Sequence, residues 1–146
     1  MTARSYLERV GKIDALIKNK TEERRRWDER AKSVGGVAIG EPVQASKNPH
    51  RGAEAVDNCI DIDREISVLK RERQEIIKTV ERLPPIEYDL IFKHYIGEYD
   101  KAHGAVRCYT RKELAYHFGK SLDWVKLRKK HALALLQAIL DQRGAE

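Results

Sequence analysis

A chain of 146 residues with 41% hydrophobic and 36% charged side chains has room for one ordinary domain, or for a small domain with an elongated appendage. Its charge stands well above the roughly 25% of an average globular chain, which favours helices with one wet face over a large buried sheet. No apolar run reaches the roughly 18 residues that span a bilayer, and MTARSYLERVGK lacks the apolar stretch of a secretory signal, so a soluble cytoplasmic protein without a membrane partner is expected.

The surplus of 29 Lys and Arg over 23 Asp and Glu gives a net charge of +6 and a pI near 9.3. Such a surplus by itself keeps a protein soluble; it points to a polyanionic partner only where it is concentrated. Cys59 and Cys108 stand in separate contexts with no CxxC pair, so both are read as free thiols and neither a disulfide framework nor a zinc ribbon is expected.

The first thirty residues place Tyr6, Val10, Ile13, Ile17 and Trp27 in a 4-3-4 frame, supplemented by Leu7 and Leu16. Lys20 and Arg24 fall on the same seam and weaken it. Residues 32–52, with four Gly and two Pro, read as a mobile connection. From Ala55 the seam resumes through Cys59, Ile62, Ile66, Leu69, Arg73, Ile76, Val80 and Leu83, the alternating spacing of a coiled coil broken only by Arg73. That helix should end at Leu83, since Pro84 and Pro85 cannot continue its hydrogen bonding.

Two long amphipathic helices joined by such a loop predict an antiparallel hairpin over residues 1–83. Leftover apolar surface would pair it with a second chain, so an oligomerisation stalk and a homodimer are expected, with a direct partner-binding rod as the alternative. The acids Asp61, Asp63, Glu72 and Glu75 lie on the wet side of this helix among Arg and Lys, where they read as ion-pair partners and not as catalytic carboxylates. Arg73 is expected to extend its head from the seam to water.

Past the prolines, residues 86–96 place Ile86, Leu90, Ile91 and Tyr95 on one face of a short helix. Residues 97–109, with two Gly, read as an irregular connection.

The C-terminal third contains Gly119-Lys120-Ser121. A phosphate-binding loop needs G-x-x-x-x-G-K-[ST] after a buried strand, but position 114 is Leu and RKELAYHF is helical in pattern. The enzyme reading fails there, and no catalytic residue, cofactor or metal is expected. The histidines form no HxxxH or HExxH pair on a predicted helix; His117 and His131 flank the turn and could bond phosphate.

A helix-turn-helix fits instead. Thr110 and Glu113 have the spacing of a capping box, Ala115 is small where the second helix crosses, Gly119 supplies a left-handed turn, Ser121 caps the next helix, and Val125 anchors it onto Leu114, Ala115 and Phe118. Lys120 departs from the apolar residue frequent in such turns. With Val125 inward, Lys129, Ala132, Leu136 and Ile139 lie near the same side, while Asp123, Lys126, Leu127 and Lys130 face outward with Trp124 and Arg128 at the margins.

Residues 111–131 carry Arg111, Lys112, Lys120, Lys126, Arg128, Lys129 and Lys130 against Glu113 and Asp123, a local +5. Lys126 and Lys130 suit guanine edges or phosphates, Asp123 a cytosine amino group and Leu127 a thymine methyl. Arg111, Lys112, Lys120 and Arg128 suit phosphates. With Ser121 at the cap and Trp124, which reads more readily as a packing residue, these form the candidate DNA-binding set. The alternative is a solvated basic helix packed on the hairpin.

From Leu83 onward, LPPIEYDLIFKHYI with TRKELAYHFGKSLDWVKLRKKHALALL resembles DNA-binding region 4 of bacterial sigma factors. The whole chain, with YLERVGKIDALIKNK and ASKNPHRGAEAVDNCIDIDREISVLKRERQEI, is similar to small proteins of phages and integrated elements of Gram-positive bacteria, the late transcriptional regulators of the ArpU and RinA type. The resemblance implies double-stranded DNA as partner, with bacterial RNA polymerase as a further one, and control of late or mobile-element genes. The expectation is thus an all-α protein: a helical hairpin over 1–83 and a helix-turn-helix domain over 84–146 that acts as a sequence-specific regulator. A small terminase-like packaging subunit and a polymerase-binding adaptor without DNA affinity are the competing functions.

Overall fold

The structure is a computed structural model that describes residues 1–36 and 51–144. It is all-α but for one small hairpin: α1 (Ala3–Gly36), α2 (Arg51–Val80), α3 (Pro85–Ile91), a π-helical turn (Phe92–Ile96), β1 (Glu98–Asp100), β2 (Ala105–Arg107), α4 (Arg111–Phe118) and α5 (Leu122–Gly144). Both long helices reach further into the expected 32–52 connection than its glycines suggested, so that α1 runs to Gly36 and α2 begins at Arg51; the rest of that connection lies outside the described residues.

The chain forms two compact units, Ile13–Glu72 and Met1–Lys12 with Arg73–Glu146. They are not delimited by the Pro84-Pro85 break, because α1 and α2 each contribute a portion to both.

Within Ile13–Glu72 the helices pair antiparallel along the expected seam, with Ile13, Ala55, Cys59, Ile62 and Leu69 buried. The two seam cations are matched across it: Lys20 bonds Glu65, and the Arg24 Nε donates to Asp63 at 2.6 Å. A cation on an apolar seam is tolerable because its stem packs while its head meets a carboxylate at the edge. Asp63 is thus an ion-pair partner. Cys59 is buried and its thiol faces the Arg24 carbonyl at 3.7 Å.

In the other unit the start of α1 and the end of α2 are grouped with the elements beyond them. Leu7, Val10, Val80, Leu90, Ile91, Leu114, Val125 and Leu136 are fully buried there. Polar clasps tie the elements: the Tyr6 hydroxyl donates to Thr79 Oγ1 at 3.1 Å, Arg143 donates to the same oxygen at 3.0 Å, and the Ala3 N–H donates to Gln137 Oε1 at 2.7 Å.

Helix α2 closes one turn before Leu83. The N–H groups of Arg82 and Leu83 bond three residues back, to Thr79 and Val80, the tightened turn common at helix ends. Pro84 then precedes α3 with Pro85 in its first turn, where a missing N–H costs nothing.

Two expectations are corrected here. Ile86 is exposed and Glu87 is buried in its place; once Leu90 and Ile91 both point inward, position 87, three and four residues before them, falls at the centre of the buried face. The connection 97–109 is not irregular but an antiparallel hairpin with Glu98 opposite Arg107, Tyr99 opposite Val106 and Asp100 opposite Ala105. Its turn is closed by the Gly104 N–H on the Asp100 carbonyl at 2.8 Å and by the Asp100 carboxylate, which accepts from the Ala102 N–H at 2.9 Å and meets His103 Nδ1 at 2.6 Å. Strands of three residues are too short to announce themselves by alternation.

Candidate nucleic-acid interface

The bend between α4 and α5 is built by local rules. Thr110 Oγ1 accepts from the Glu113 N–H at 3.3 Å, and the Glu113 side chain turns back to the Thr110 N–H, completing the capping box. The other Glu113 oxygen accepts from Arg107 of β2 at 3.0 Å, which fastens the hairpin to the start of α4. At the far end Gly119 sits at φ 63°, ψ 36°, and the Lys120 N–H reaches back to the Ala115 carbonyl at 3.0 Å, satisfying carbonyls that α4 would leave open. Ser121 Oγ then accepts from the Trp124 N–H at 3.1 Å and starts α5.

The direction of α5 follows from what it buries. Val125, Ala132 and Leu136 are fully buried along one side of the helix, as is Leu114 of α4; Lys129, Leu133, Ile139 and Leu140 are half-buried beside them. The opposite side of the first two turns leaves Asp123, Lys126 and Lys130 exposed, and Leu127 is 69% exposed. Arg111, Lys112, Lys120 and Ser121 are exposed as well. Among the described residues no carboxylate pairs with Arg111, Lys112, Lys120, Lys126 or Lys130. Their charge is directed at solvent.

Two members of the candidate set are placed otherwise. Trp124 is half-buried, its ring 5.4 Å from that of Phe118, so it packs the bend. Arg128 turns toward α3, where its Nη1 donates to Glu87 at 2.8 Å with its guanidinium 5.6 Å from the Trp124 ring centroid. Of the flanking histidines, His117 Nε2 lies 3.2 Å from Asp89 and His131 lies 3.9 Å from Glu87.

Behind the bend a polar chain joins the elements. Lys93 Nζ bonds Asp89 at 3.3 Å and Glu98 at 3.2 Å and lies 5.5 Å from the Tyr109 ring centroid. Burial works against its charge, yet the bonds to Glu98 and Asp89 prevail and raise its pKa. Lys129 goes the other way. Burial, then the nearby Arg111 and Arg4, lower its pKa, and its ammonium rests 5.3 Å from the Tyr95 ring centroid. His94 is lowered by burial first, against a 2.8 Å contact with the Tyr109 carbonyl that favours its charged form.

Sequence reasoning missed Glu87, whose only signal was its offset from Leu90 and Ile91, and Tyr116, which is 92% exposed on α4. Tyr116 rims an open depression of about 620 Å³ with Arg107, Tyr109, Lys112, Glu113 and His117. Among the described residues no three His, Cys, Asp or Glu are grouped to hold a metal ion, and no helix is long and apolar enough to cross a membrane. Compared with protein-family models, with curated proteins and with solved structures, the chain matches none.

Proposed function

We propose that this protein is a sequence-specific regulator of transcription that reads double-stranded DNA through α5, and that it controls genes of a phage or mobile element. The observation that carries this reading is the division of α5 after Gly119. Val125, Ala132 and Leu136 are sealed against the body while Asp123, Lys126, Leu127 and Lys130 point outward. A helix anchored on one side and bearing unpaired cations, one acid and one aliphatic group on the other suits a major groove. Arg111, Lys112 and Lys120 around the bend supply cations for the flanking phosphates, which fix register without reading sequence.

A second copy of the chain fits the other unit. Val56, Ile60 and Val68 of α2 are each half-exposed or more, apolar surface that a homodimer would cover. A dimer would give the DNA site two half-sites about one helical turn or a multiple apart. RNA polymerase enters as a further partner through the resemblance to sigma region 4.

The test is DNA selection with the purified full-length chain, followed by titration of the selected duplex at several salt concentrations. Wild-type affinity should fall steeply with salt. Lys126→Ala with Lys130→Ala should abolish binding and leave helical content intact. Unchanged binding by that double variant would end the proposal.

A further inference from the structure

We infer that Glu87 is a positioning residue for DNA binding: it holds Arg128 so that the free edge of the guanidinium meets a backbone phosphate beside α5. The inference rests on the DNA-binding reading of α5.

Glu87 is 4% exposed, the most deeply placed carboxylate among the described residues. It sits on α3, 41 residues before Arg128, and receives a 2.8 Å bond from one terminal nitrogen. The Arg128 side chain is nevertheless 38% exposed, because it emerges at the margin of the outward face, next to Leu127. A guanidinium carries five N–H donors, and no other hydrogen bond occupies the Arg128 fork among the described residues. Trp124, 5.6 Å away and itself against Phe118, restrains the same planar group. Arg128 is therefore held at one nitrogen and flanked by an indole, with its remaining donors at the rim of the proposed DNA face.

As a stability device this pair is a poor choice. Burying a carboxylate carries a large desolvation cost, and replacing such pairs by apolar side chains is often neutral or favourable. What the pair does provide is orientation. An unrestrained arginine loses rotamer freedom when it grips a phosphate, and one held beforehand loses less. Glu87 also lies 3.9 Å from His131, one turn further along α5, too far for a hydrogen bond, so Arg128 is the side chain that the carboxylate holds. If Glu87 merely cancelled a nearby positive charge, its removal would strengthen attraction to DNA. The positioning role requires the opposite sign.

Because a phosphate contact is independent of sequence, the probe is a fluorescein-labelled mixed-sequence duplex of about 30 base pairs titrated at low salt. Full-length wild type is compared with Glu87→Gln, Arg128→Gln, the double variant and Arg128→Lys, with helicity followed by circular dichroism. Glu87→Gln should weaken binding about 3- to 10-fold, the ordering cost of one rotamer-rich side chain that is no longer held beforehand. Arg128→Gln should do at least as much and make the slope of log K against log salt shallower by about 0.9. The double variant should bind no more weakly than Arg128→Gln alone, since Glu87 acts only through Arg128. Arg128→Lys should fall between wild type and Arg128→Gln, and it replaces Arg128→Gln in the cycle should the latter lose helicity. Additive effects, or tighter binding by Glu87→Gln, would overturn the role of Glu87 and leave the DNA reading standing. A wild type with no affinity for the duplex at low salt would overturn both.

Discussion

Gly97 joins the π-helical turn to β1 in a conformation that a side chain cannot share. Its backbone is at φ 78°, ψ 171°, a region that essentially only glycine occupies, and forcing another residue there costs about 1–3 kcal/mol. Space is lacking too. A Cβ would stand 2.6 Å from the Arg107 carbonyl oxygen, 2.9 Å from its carbon and 3.0 Å from Cys108 Sγ. The first two neighbours are backbone, and Arg107 is fixed in register opposite Glu98, so no rotamer change relieves the contact. Gly97→Ala should therefore cost about 3 kcal/mol or more, a large share of the roughly 5–15 kcal/mol that holds a domain folded. Gly119 offers the control. It also has positive φ, 63°, but nothing lies within 4 Å of its missing Cβ, so Gly119→Ala should cost only the left-handed penalty of about 1–2 kcal/mol. Urea unfolding of the two variants beside wild type measures both. A Gly97→Ala protein as stable as wild type, or less affected than Gly119→Ala, would show that β2 does not approach the π-helical turn as described.

Two further outcomes follow from single side chains. Among the described residues the buried Tyr95 hydroxyl has no hydrogen-bond partner, so Tyr95→Phe should leave stability unchanged or raise it by up to about 1 kcal/mol, while keeping a ring for the Lys129 ammonium; a clear drop in melting temperature would refute this. His94 has its pKa lowered in the folded state, chiefly by burial. The unfolded chain then takes up a proton at a higher pH than the folded one, so the contribution of His94 is fully present above its ordinary value of about 6.5 and is lost as pH falls through it toward the folded value. Unfolding of wild type and His94→Gln between neutral and mildly acidic pH should show a smaller loss in the variant, and parallel curves would contradict the assignment.

The bend was legible in the sequence because its rules are local. Thr110, Glu113, Gly119 and Ser121 act through backbone groups within a few residues of themselves, and the structure uses each for the bond its spacing implied. The seam of α2 was legible for the same reason, since a period is visible in one dimension. The β-hairpin was not. Its strands are held by Glu98 on Lys93 and by Arg107 on Glu113, contacts from one element to another that leave no pattern within 97–109. Lys20 and Arg24 looked like flaws in α1 until Glu65 and Asp63 came opposite them; the pattern marked the positions, and only the fold supplied the partners.

The basic character of residues 111–131 shows what counting charge by sequence window leaves out. The window gives every cation equal weight, but Coulomb attraction depends on where each head group stands and on what already faces it. Glu87 lies outside the window and takes hold of Arg128; Lys129 turns to the Tyr95 ring with its charge disfavoured by burial. Within the window Glu113 is itself occupied by Arg107. What faces solvent around the bend is thus Arg111, Lys112, Lys120, Lys126 and Lys130 with Asp123 as the unpaired acid, joined at the margin by the part of Arg128 that Glu87 leaves exposed, a narrower field, directed to one side by the burial of Val125.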